Sequence, residues 1–442
     1  MDAEGELPKR DVVDNVEALP SAAVKVFQAV STAWRKEEDV KRFTLIGVVA
    51  ALTLLGSAMA QGKITVWTHY NGPELAWLKQ TAANFARSSG TQVEVVEVPF
   101  GDIQNKFILG APQGQAADLV VSIPHDWVGA MAAAGVLEPM SKYATSSYIQ
   151  SLSDVAVEAL TYRNQLFALP MFAESVALIY NRKLVKEAPK TWDEFLKVAQ
   201  ENTKGRSYGF LYDLANPYFN YGWFTAYGAS VFGRTAQGVD ASQTRLGGEA
   251  GVRAVSFIKD LRYRYRLIPE GVDYGVADSA FKEGALAMIL NGPWAIGDYK
   301  KANIDFGIAP MPNPPGGGQW RPFVGVQGVA MNAYSRNKTA AANFAKLLVS
   351  PQNQVAFNKA GGRLPVSKQA VQQLRNDPVV VGFSATIALG SPMPNIPEMG
   401  KVWGPWGNAL SQAVQRADTN VAQIVAAMVA EINRGLSGRQ AP

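Results

Sequence analysis

The stretch "KITVWTHYNGPELAWLKQTAANFARSSGTQVEVVEV", residues 63–98, places an amphipathic segment between two short apolar runs. The runs at residues 63–69 and 92–98 are typical of strands, and residues 74–90 are typical of a helix that ends at a glycine. The alternation continues with a helix, a strand and a helix at residues 102–111, 117–123 and 126–137. Strands that alternate with helices over short connections predict an open α/β sheet, mainly parallel, covered by helices on both faces.

Ligands of open α/β sheets bind at the carboxyl ends of the strands. The segments that leave those ends are "WTHYNGP", residues 67–73, and "SIPHDW", residues 122–127. The sequence therefore predicts that both segments border a binding site.

A second α/β series follows an extended apolar run, "LFALPMFAESVALIYNRKLV" at residues 166–185, whose one carboxylate is Glu174. The helix of the new series begins with "TWDE", in which Thr191 and Glu194 form a capping box. A second extended run lies at residues 321–333, after a turn rich in proline and glycine. Two α/β series joined by extended segments predict two lobes with a hinge and a cleft between them.

Composition agrees with two globular domains and excludes several classes of site. The chain has 442 residues, of which 48% are hydrophobic and 18% charged, and it has no cysteine. Disulfide frameworks, thiolate metal sites, cysteine nucleophiles and cysteine-linked lipid anchors are therefore excluded. The formal net charge is +5. Because the positive charges are scattered and the chain carries an export signal, we expect no nucleic-acid partner.

The uncharged run "FTLIGVVAALTLLGSAMA", residues 43–60, follows Lys41 and Arg42 and ends in small residues. A basic flank, an apolar stretch and an A-x-A end predict a signal peptide at residues 40–60, cleaved after Ala60. An uncleaved membrane anchor is the alternative. Residues 1–39 add a polar stretch that export does not need, so they are either an upstream extension or a cytoplasmic tail.

Catalysis has few candidates in this sequence. The histidines are His69 and His125, and neither a G-x-S-x-G nucleophile elbow nor an H-E-x-x-H zinc motif nor a phosphate-binding loop occurs. Carboxylates do not cluster at metal-ligand spacing, so we expect no metal, no cofactor and no catalytic residue. Asp126 and Glu174 remain open to two interpretations: a glycoside-hydrolysis pair, or two acceptors for sugar hydroxyls without chemistry.

Aromatic residues favour the second interpretation. Sites for sugars combine flat rings with carboxylates and amides, because a sugar has an apolar C–H face and a rim of hydroxyls. The sequence predicts that six rings lie on loops beside proline or glycine: Trp67, Tyr70, Trp127, Tyr218, Trp294 and Trp403. Taken singly, each ring is better explained by core or loop packing; together, on turns beside proline and glycine, the rings are hard to assign to a core alone.

The chain resembles the periplasmic maltose/maltodextrin-binding proteins of bacterial sugar transport. The segments that carry the resemblance occur in order from residue 63 to the C-terminus: "EALTYRNQLFALPMFAESVALIYNRKL", "KTWDEF", "NPYF", "DYGVADSAFKEGALAMILNGPW", "PFVGV" and "MPNIPEM" with the following tryptophan. This order is specific for the family and less specific for the sugar.

The resemblance implies a role for each matching residue. Asp126 of the "HD" pair and Glu174 accept hydrogen bonds from glucose hydroxyls. Tyr218, Trp294 and Trp403 stack on successive sugar rings, and the prolines of "MPNIPEM" stiffen the loop that presents Trp403.

Four positions depart from the family pattern. Trp127 stands where arginine is usual, Asn71 and Gly72 stand where charged residues are usual, and Gly404 replaces an aromatic residue. Trp67, Asn71 and Trp127 complete the predicted binding residues. The departures suggest altered subsites or a preference for longer or differently linked glucosides.

The resemblance also implies an architecture and partners. The N-terminal lobe would comprise residues 61–173 and 326–374, and the C-terminal lobe residues 174–325 and 375–442. The protein would be a periplasmic, monomeric, non-enzymatic binding protein that delivers maltose or malto-oligosaccharides to the permease subunits of an ABC importer. An extracytoplasmic α-glucoside hydrolase and a sensor partner with the same fold are the alternatives.

Overall fold

The computed structural model describes residues 62–236 and 238–438, so the predicted signal peptide and the extension before it lie outside the described residues. The strands are β1 (Lys63–Thr68), β2 (Gln92–Glu97), β3 (Leu119–Pro124), β4 (Leu137–Glu138), β5 (Thr161–Tyr162), β6 (Gln165–Leu166), β7 (Ala168–Glu174), β8 (Ala177–Asn181), β9 (Tyr208–Leu211), β10 (Ser230–Thr235), β11 (Gly238–Arg245), β12 (Leu286–Asn291), β13 (Phe306–Ala309), β14 (Phe323–Asn332), β15 (Leu364–Pro365) and β16 (Ser391–Pro392). The helices are α1 (Gly72–Ser89), α2 (Phe100–Gly110), α3 (His125–Ala133), α4 (Ser146–Gln150), α5 (Asp154–Ala159), α6 (Trp192–Glu201), α7 (Pro217–Ala226), α8 (Gly248–Tyr263), α9 (Tyr274–Lys282), α10 (Ile296–Lys301), α11 (Lys338–Leu348), α12 (Pro351–Gly361), α13 (Lys368–Gln373), α14 (Pro378–Ile387), α15 (Trp403–Ala413) and α16 (Val421–Leu436). Short 3₁₀ helices lie at Ala111–Gln113, Met140–Lys142, Pro293–Ala295 and Pro397–Lys401.

The first sheet has the strand order β15–β7–β14–β3–β1–β2, with β4 and β16 paired to β14. Strand β1 is parallel to β2 and β3, because α1 and α2 return the chain to the same edge. This confirms the strand and helix pattern predicted for residues 63–123. The next helix is shorter than predicted. It ends at Ala133 because Gly135 adopts a left-handed φ of 71°, and Leu137–Glu138 then form β4.

Most strands of each sheet run in one direction, as predicted, but both sheets also contain strands that run against that direction. In the first sheet β14 runs antiparallel to β3 and β7. In the second sheet, ordered β13–β8–β12–β9, only the pair β12–β9 is parallel. Parallel neighbours need a helical crossover in the same sheet. Strands β7 and β14 instead carry the chain directly between the two sheets, so their direction follows that path.

Two hydrophobic cores accompany the two sheets. Members of the first core run from Ile64 to Phe172 and from Val326 to Val366. Members of the second run from Val176 to Phe323 and from Leu364 to Ile432. The fold is therefore α/β with one core for each sheet, and the lobe boundaries given above stay a prediction.

The two extended crossings between the cores lie side by side. Glu174 ends β7 and is in register with Gly325 of β14. The buried Ser175 hydroxyl donates to the carbonyl oxygen of Phe323 over 2.8 Å. A Cβ at position 325 would lie 2.9 Å from Cγ of Glu174, so glycine is required for this approach. The crossings are thus joined at the point where a hinge is predicted.

The predicted capping box at the start of α6 is confirmed. The Thr191 hydroxyl accepts from the backbone N–H of Glu194 over 3.2 Å, and the Glu194 carboxylate accepts from the backbone N–H of Thr191 over 3.3 Å. Across residues 62–236 and 238–438, the helices are too short or too polar to cross a membrane.

Candidate functional site

Glu174 lies at the crossing between the two cores and is 5% exposed. Its Oε1 accepts from the amide of Gln327 over 2.7 Å, and its Oε2 is paired with Nη1 of Arg363. Gln327 in turn accepts from the hydroxyl of Ser122 over 3.1 Å. The carboxylate is therefore fixed by groups that belong to the first sheet and the segment before β15.

Arg363 connects Glu174 to the start of α1. Its Nε and Nη2 donate to the Glu74 carboxylate over 2.5 and 3.0 Å, and both carboxylates are buried with it. Its guanidinium also lies over the rings of Phe172 and Trp294, 4.7 and 5.7 Å from their centroids. We refer to Glu74, Glu174, Gln327 and Arg363 as the charged cluster. Paired buried charges of this kind hold one geometry, since a broken pair leaves an uncompensated charge.

Asp126 is the second residue of α3, and its carboxylate is buried. It accepts a hydrogen bond from the indole N–H of Trp403 over 3.0 Å. The neighbouring His125 accepts from the backbone N–H of Val326 at Nδ1 and donates from Nε2 to the carbonyl of Met393 over 2.9 Å. The start of α3 is thus tied to β14 and to the proline-rich segment that leads to Trp403.

The segment "MPNIPEM", residues 393–399, is docked rather than free. Asn395 accepts from the backbone N–H of Gly129 over 2.8 Å and donates to the carbonyl of Ala159 over 2.7 Å. The segment ends in the 3₁₀ helix Pro397–Lys401, after which Trp403 begins α15. Fixed proline φ angles and these contacts hold Trp403 against Asp126, in agreement with the stiffening expected from the sequence.

A row of aromatic rings borders the charged cluster. Tyr218 lies 6.1 Å from Trp294 and 6.0 Å from Phe323, and Phe323 lies 5.8 Å from Trp403, between ring centroids. We call these four residues the ring wall. The expectation that these rings stand on loops is wrong for Tyr218, Trp294 and Trp403, which lie in the first turns of helices, where the helix start fixes the side-chain direction.

Charged residues contact the ring wall at both of its ends. Arg363 of the charged cluster lies over Trp294 at one end, and Asp126, which is outside the cluster, accepts a hydrogen bond from Trp403 at the other. Tyr218 lies between these two ends. Its hydroxyl oxygen is close to the position that a Cβ atom on Gly325 would occupy, and Glu174 is close to the same position. Among the described residues, this buried hydroxyl is one of the few side-chain groups that lack a hydrogen-bond partner. Buried polar groups are normally paired, so the arrangement indicates a place for a polar ligand.

Burial controls the ionisation of these groups. It raises the pKa of Asp126 to about 6, although the Trp403 hydrogen bond opposes the shift and the nearby Glu174 charge adds to it. Burial and the charges of Glu174 and Asp126 raise the pKa of Tyr218 well above its usual value. Burial lowers the pKa of His125 to about 4. The site therefore offers carboxylate acceptors, a neutral phenol and apolar ring faces.

The part of the chain that the structure describes contains no group of side chains arranged to bind a metal ion. In residues 62–236 and 238–438, no three histidine, aspartate or glutamate side chains converge on a possible ion position. The carboxylates of the site instead accept hydrogen bonds from arginine, glutamine and tryptophan.

The predicted site residues divide into two groups. Asp126, Glu174, Tyr218, Trp294 and Trp403 are brought together as described. The other three are Trp67, Asn71 and Trp127, and among the described residues no hydrogen bond or ring contact joins them to those five side chains. Trp67 lies in β1 and packs edge-on against Phe107 at 6.0 Å. Asn71 is exposed at the start of α1, and Trp127 is 9% exposed next to Asp126.

Sequence reasoning missed the charged cluster except for Glu174. Tyr70 lies in the loop between β1 and α1, as predicted, but it is 2% exposed and its side chain belongs to the first core. Glu74 and Arg363 are 289 residues apart in the sequence. The available signal was a glutamate on the buried face of an amphipathic helix and an arginine in the otherwise uncharged "GGRLPV". Neither feature of the sequence shows which residue the side chain pairs with.

Comparison with known proteins assigns the family. A profile described as bacterial extracellular solute-binding protein matches residues 80–380. The maltotriose-binding protein of Pyrococcus abyssi is 33% identical over 366 residues, which covers 80% of this chain and 78% of that protein. The galactooligosaccharide-binding protein of Bacillus subtilis is 29% identical over 369 residues, which covers 80% and 86%. The chain belongs to the bacterial extracellular solute-binding protein family.

A solved structure gives the same picture of the fold. The Thermus thermophilus maltotriose binding protein bound with maltotriose is 66% identical with a TM-score of 0.83, and the match covers 84% of this chain and 100% of that one. The fold is the two-lobed α/β fold of periplasmic binding proteins. The protein is a solute-binding protein rather than an enzyme, and the hydrolase alternative finds no support in these similarities.

Proposed function

We propose that this protein binds malto-oligosaccharides between the charged cluster and the ring wall and delivers them to an ABC importer. The observation that carries the proposal is the meeting of carboxylates and half-buried rings at one place, with the buried Tyr218 hydroxyl left without a partner. Rings and acceptors in this combination match the two faces of a glucose unit. The similarity to two maltotriose-binding proteins supports the choice of sugar.

In this proposal Asp126 and Glu174 accept hydrogen bonds from sugar hydroxyls, and Tyr218, Trp294 and Trp403 stack on sugar rings. Each carboxylate already accepts from the protein, yet a carboxylate has about four lone-pair sites and so keeps capacity for hydroxyl donors. Trp127, Trp67 and Asn71 remain predicted contacts. Of these Trp127 has the strongest support, because it adjoins Asp126 in α3.

Sugar binding would favour the closed arrangement of the lobes. The ligand contacts groups attached to both cores, so its affinity for the closed form exceeds its affinity for an open one, and that difference drives closure. The joined crossings at Ser175 and Phe323 form the hinge, and the lobes comprise residues 61–173 with 326–374 and residues 174–325 with 375–442. Micromolar affinity requires about 8 kcal/mol, which a few charge-assisted hydrogen bonds and buried ring faces supply.

The extracytoplasmic location follows from the family, and we add its details as proposals. Residues 40–60 act as a signal peptide cleaved after Ala60, and residues 1–39 are absent from the exported protein. Without cysteine the protein has no site for a thioether lipid anchor, so we propose that it diffuses freely in the periplasm. A monomeric state is a separate proposal, which rests on the resemblance to the family. Mass spectrometry of the purified exported protein tests the cleavage site, and retention of residues 1–39 would overturn it.

Calorimetric titration with maltose, maltotriose, trehalose, glucose and xylose tests the ligand. We expect a clear response to α-linked glucosides and little response to glucose, because one ring cannot contact all of the ring wall. The variant Trp294→Ala should weaken maltotriose binding. Its matched control is Tyr334→Ala, which removes an aromatic residue that is 51% exposed. An equal response to xylose would refute the assignment.

A further inference from the structure

Trp294 of the ring wall lies in the short turn between β12 and α10. Strand β12 ends at Asn291, and the 3₁₀ helix Pro293–Ala295, which carries Trp294, leads directly into α10. Gly292 has no side chain, and a Cβ atom at this position would lie 2.1 Å from the Trp294 ring. The indole therefore folds back over the backbone of its own turn, so the place of the ring depends on the place of the turn.

Buried hydrogen bonds join the two ends of this turn. The amide nitrogen of Asn291 donates to the Tyr299 hydroxyl over 2.8 Å, and the amide oxygen accepts from the backbone N–H of Gly292 over 2.8 Å. Tyr299, on α10, donates in turn to Oδ1 of Asp278 over 2.8 Å. We call Asn291, Tyr299 and Asp278 the turn network, and all three side chains are buried. The strand before the turn and the helix after it are thus fixed to one carboxylate.

Asp278 anchors the turn network to a third element, the helix α9. Its Oδ2 is paired with the ammonium group of Lys282 at 2.8 Å, four residues further along the same helix. Burial, together with the charge of Asp278, raises the pKa of Tyr299 well above its usual value, so the phenol keeps the proton that it donates. Hydrogen bonds to an ionised acceptor are shorter and stronger than neutral ones, so this anchor favours one geometry.

Other residues contact the Trp294 ring itself. Tyr218 and Phe219 lie 6.1 and 5.9 Å from it between ring centroids, and the Arg363 guanidinium lies 5.7 Å from its centroid. The turn network instead fixes the backbone that carries the ring. Attraction between stacked groups falls steeply with separation, since a gap of about 0.5–1 Å already loses a quarter to a half of it. A small shift of the turn would therefore weaken stacking on a ligand.

We propose that Asp278 is a positioning residue which, through Tyr299 and Asn291, sets the place of Trp294 for stacking on sugar. The inference rests on the proposed function. The turn network acts on affinity through the Trp294 ring and not through contacts of its own with the ligand. Its effect on binding should therefore disappear when that ring is removed.

The test is a double-mutant cycle on maltotriose dissociation constants, measured by calorimetry. Tyr299→Phe removes the hydroxyl that joins Asn291 to Asp278 and keeps the ring. We expect it to weaken binding by about 3- to 10-fold in the otherwise unmodified protein, the effect of one hydrogen bond. In the Trp294→Ala background the same change should weaken binding by less than about twofold, because residues that act as one unit are not additive.

Two substitutions of Asp278 test the anchor separately. Asp278→Leu removes the acceptor of the Tyr299 hydroxyl, whereas Asp278→Asn keeps an oxygen acceptor in its place. We expect Asp278→Leu to weaken maltotriose binding as much as Tyr299→Phe does. Asp278→Asn should stay within about twofold of the unmodified protein, and an equal loss in both Asp278 variants would contradict the role of this acceptor.

Tyr212→Phe is the matched control. Tyr212 is buried in the same core, and its hydroxyl likewise donates one hydrogen bond, to Asn220 over 2.8 Å, and accepts one, from the indole of Trp223 over 3.0 Å. Urea unfolding should show a similar loss of stability for Tyr212→Phe and Tyr299→Phe. Any effect of Tyr212→Phe on affinity should be the same with and without Trp294→Ala.

Two results would overturn the inference. One is unchanged affinity in Tyr299→Phe, which would mean that the turn network serves the fold alone. The other is an equal loss of affinity from Tyr299→Phe in the presence and the absence of the Trp294 ring. Failure of the unmodified protein to bind any malto-oligosaccharide would instead overturn the proposed function, so the two failures are distinguishable.

Discussion

The charged cluster and the ring wall border the same site but are built in opposite ways. In the cluster, the carboxylates of Glu74 and Glu174 are both paired with Arg363, and all three side chains are buried. In the ring wall, the rings of Tyr218, Trp294 and Trp403 are half-buried, and the buried Phe323 connects Trp403 to Tyr218. The charged groups of the cluster are paired within the protein, whereas the rings of the wall keep part of their surface exposed.

This difference separates stability from affinity. Removing a group from the cluster leaves buried charges without partners, so the folded state loses free energy whether or not sugar is present. Removing a ring from the wall deletes surface that sugar would cover, so most of the loss should appear in binding. Substitutions in the two regions can test this separation directly.

The largest effect is expected for Arg363→Leu. The substitution leaves Glu74 and Glu174 buried without their cation, so the free energy of unfolding should fall by about 3–5 kcal/mol. Urea unfolding of the ligand-free protein measures it. The matched control is Arg416→Leu, which breaks an ion pair with Asp418 on the surface and should leave the unfolding midpoint unchanged. Equal midpoints for the two variants would contradict the role assigned to the cluster.

Trp403→Ala should act chiefly on binding. Trp403 is half-buried and stacks on the fully buried Trp406, with 6.1 Å between centroids and 10° between planes. We expect about 30-fold weaker maltotriose binding, or about 2 kcal/mol for a ring face of roughly 80 Å². Some loss of stability accompanies it, because the stacking on Trp406 is also removed.

Trp406→Ala is the control for this experiment. It removes a ring from the second core and should lower the free energy of unfolding by about 3–5 kcal/mol. If Trp403→Ala lowered stability as much as Trp406→Ala and left affinity unchanged, Trp403 would be a core residue and the ring wall would lose one member.

A feature of the fold or of the site could be predicted from the sequence when the residues that form it are close together in the chain. The strands and helices of residues 63–123 and the capping box of Thr191 and Glu194 follow from local patterns, and the structure confirms them. The mixed direction of the sheets does not, because it depends on where β14 returns from the second core. Strand β14 is buried along its whole length, as β3 is, so its largely apolar run does not reveal that its neighbours are antiparallel.

The site shows the same limit. Asp126, Glu174, Tyr218, Trp294 and Trp403 were predicted through resemblance to a family, and the structure brings them together. The arginine that fixes Glu174 was not predicted, because its partners lie 289 and 189 residues away. Spacing in the sequence carries no information on such pairs.

Asp126 lies between the two regions, and its pH dependence tests that position. Its pKa is about 6 in the folded protein and about 3.8 when exposed. Below pH 6 the carboxyl is protonated and loses acceptor capacity, so maltotriose affinity should fall about tenfold between pH 7.5 and 5. Stability should change in the opposite sense. The folded state binds the proton more tightly than the unfolded chain, so this group's contribution becomes more favourable as pH falls from 7 towards 4.

Asp126→Asn is the control, because an amide does not titrate. The differences between the unmodified protein and this variant, in calorimetry and in urea unfolding over the same pH range, isolate the contribution of Asp126 from other carboxyls. Parallel pH profiles in the two proteins would show that Asp126 does not titrate near pH 6.

The smallest effect, and the sharpest separation of stability from affinity, is expected for Tyr218→Phe. The variant removes a buried hydroxyl that has no partner in the protein, so the ligand-free protein should be as stable as before or slightly more stable. If the hydroxyl pairs with sugar, maltotriose binding should weaken by about 3- to 10-fold, the effect of about 0.5–1.5 kcal/mol for one hydrogen bond. Tyr221→Phe is the matched control, since Tyr221 lies on the same helix and stacks on the same Phe323 with 3.6 Å between centroids. Its affinity should stay unchanged. Lower stability with unaltered affinity in Tyr218→Phe would show that the hydroxyl serves the fold, and the ring wall would then resemble the charged cluster rather than oppose it.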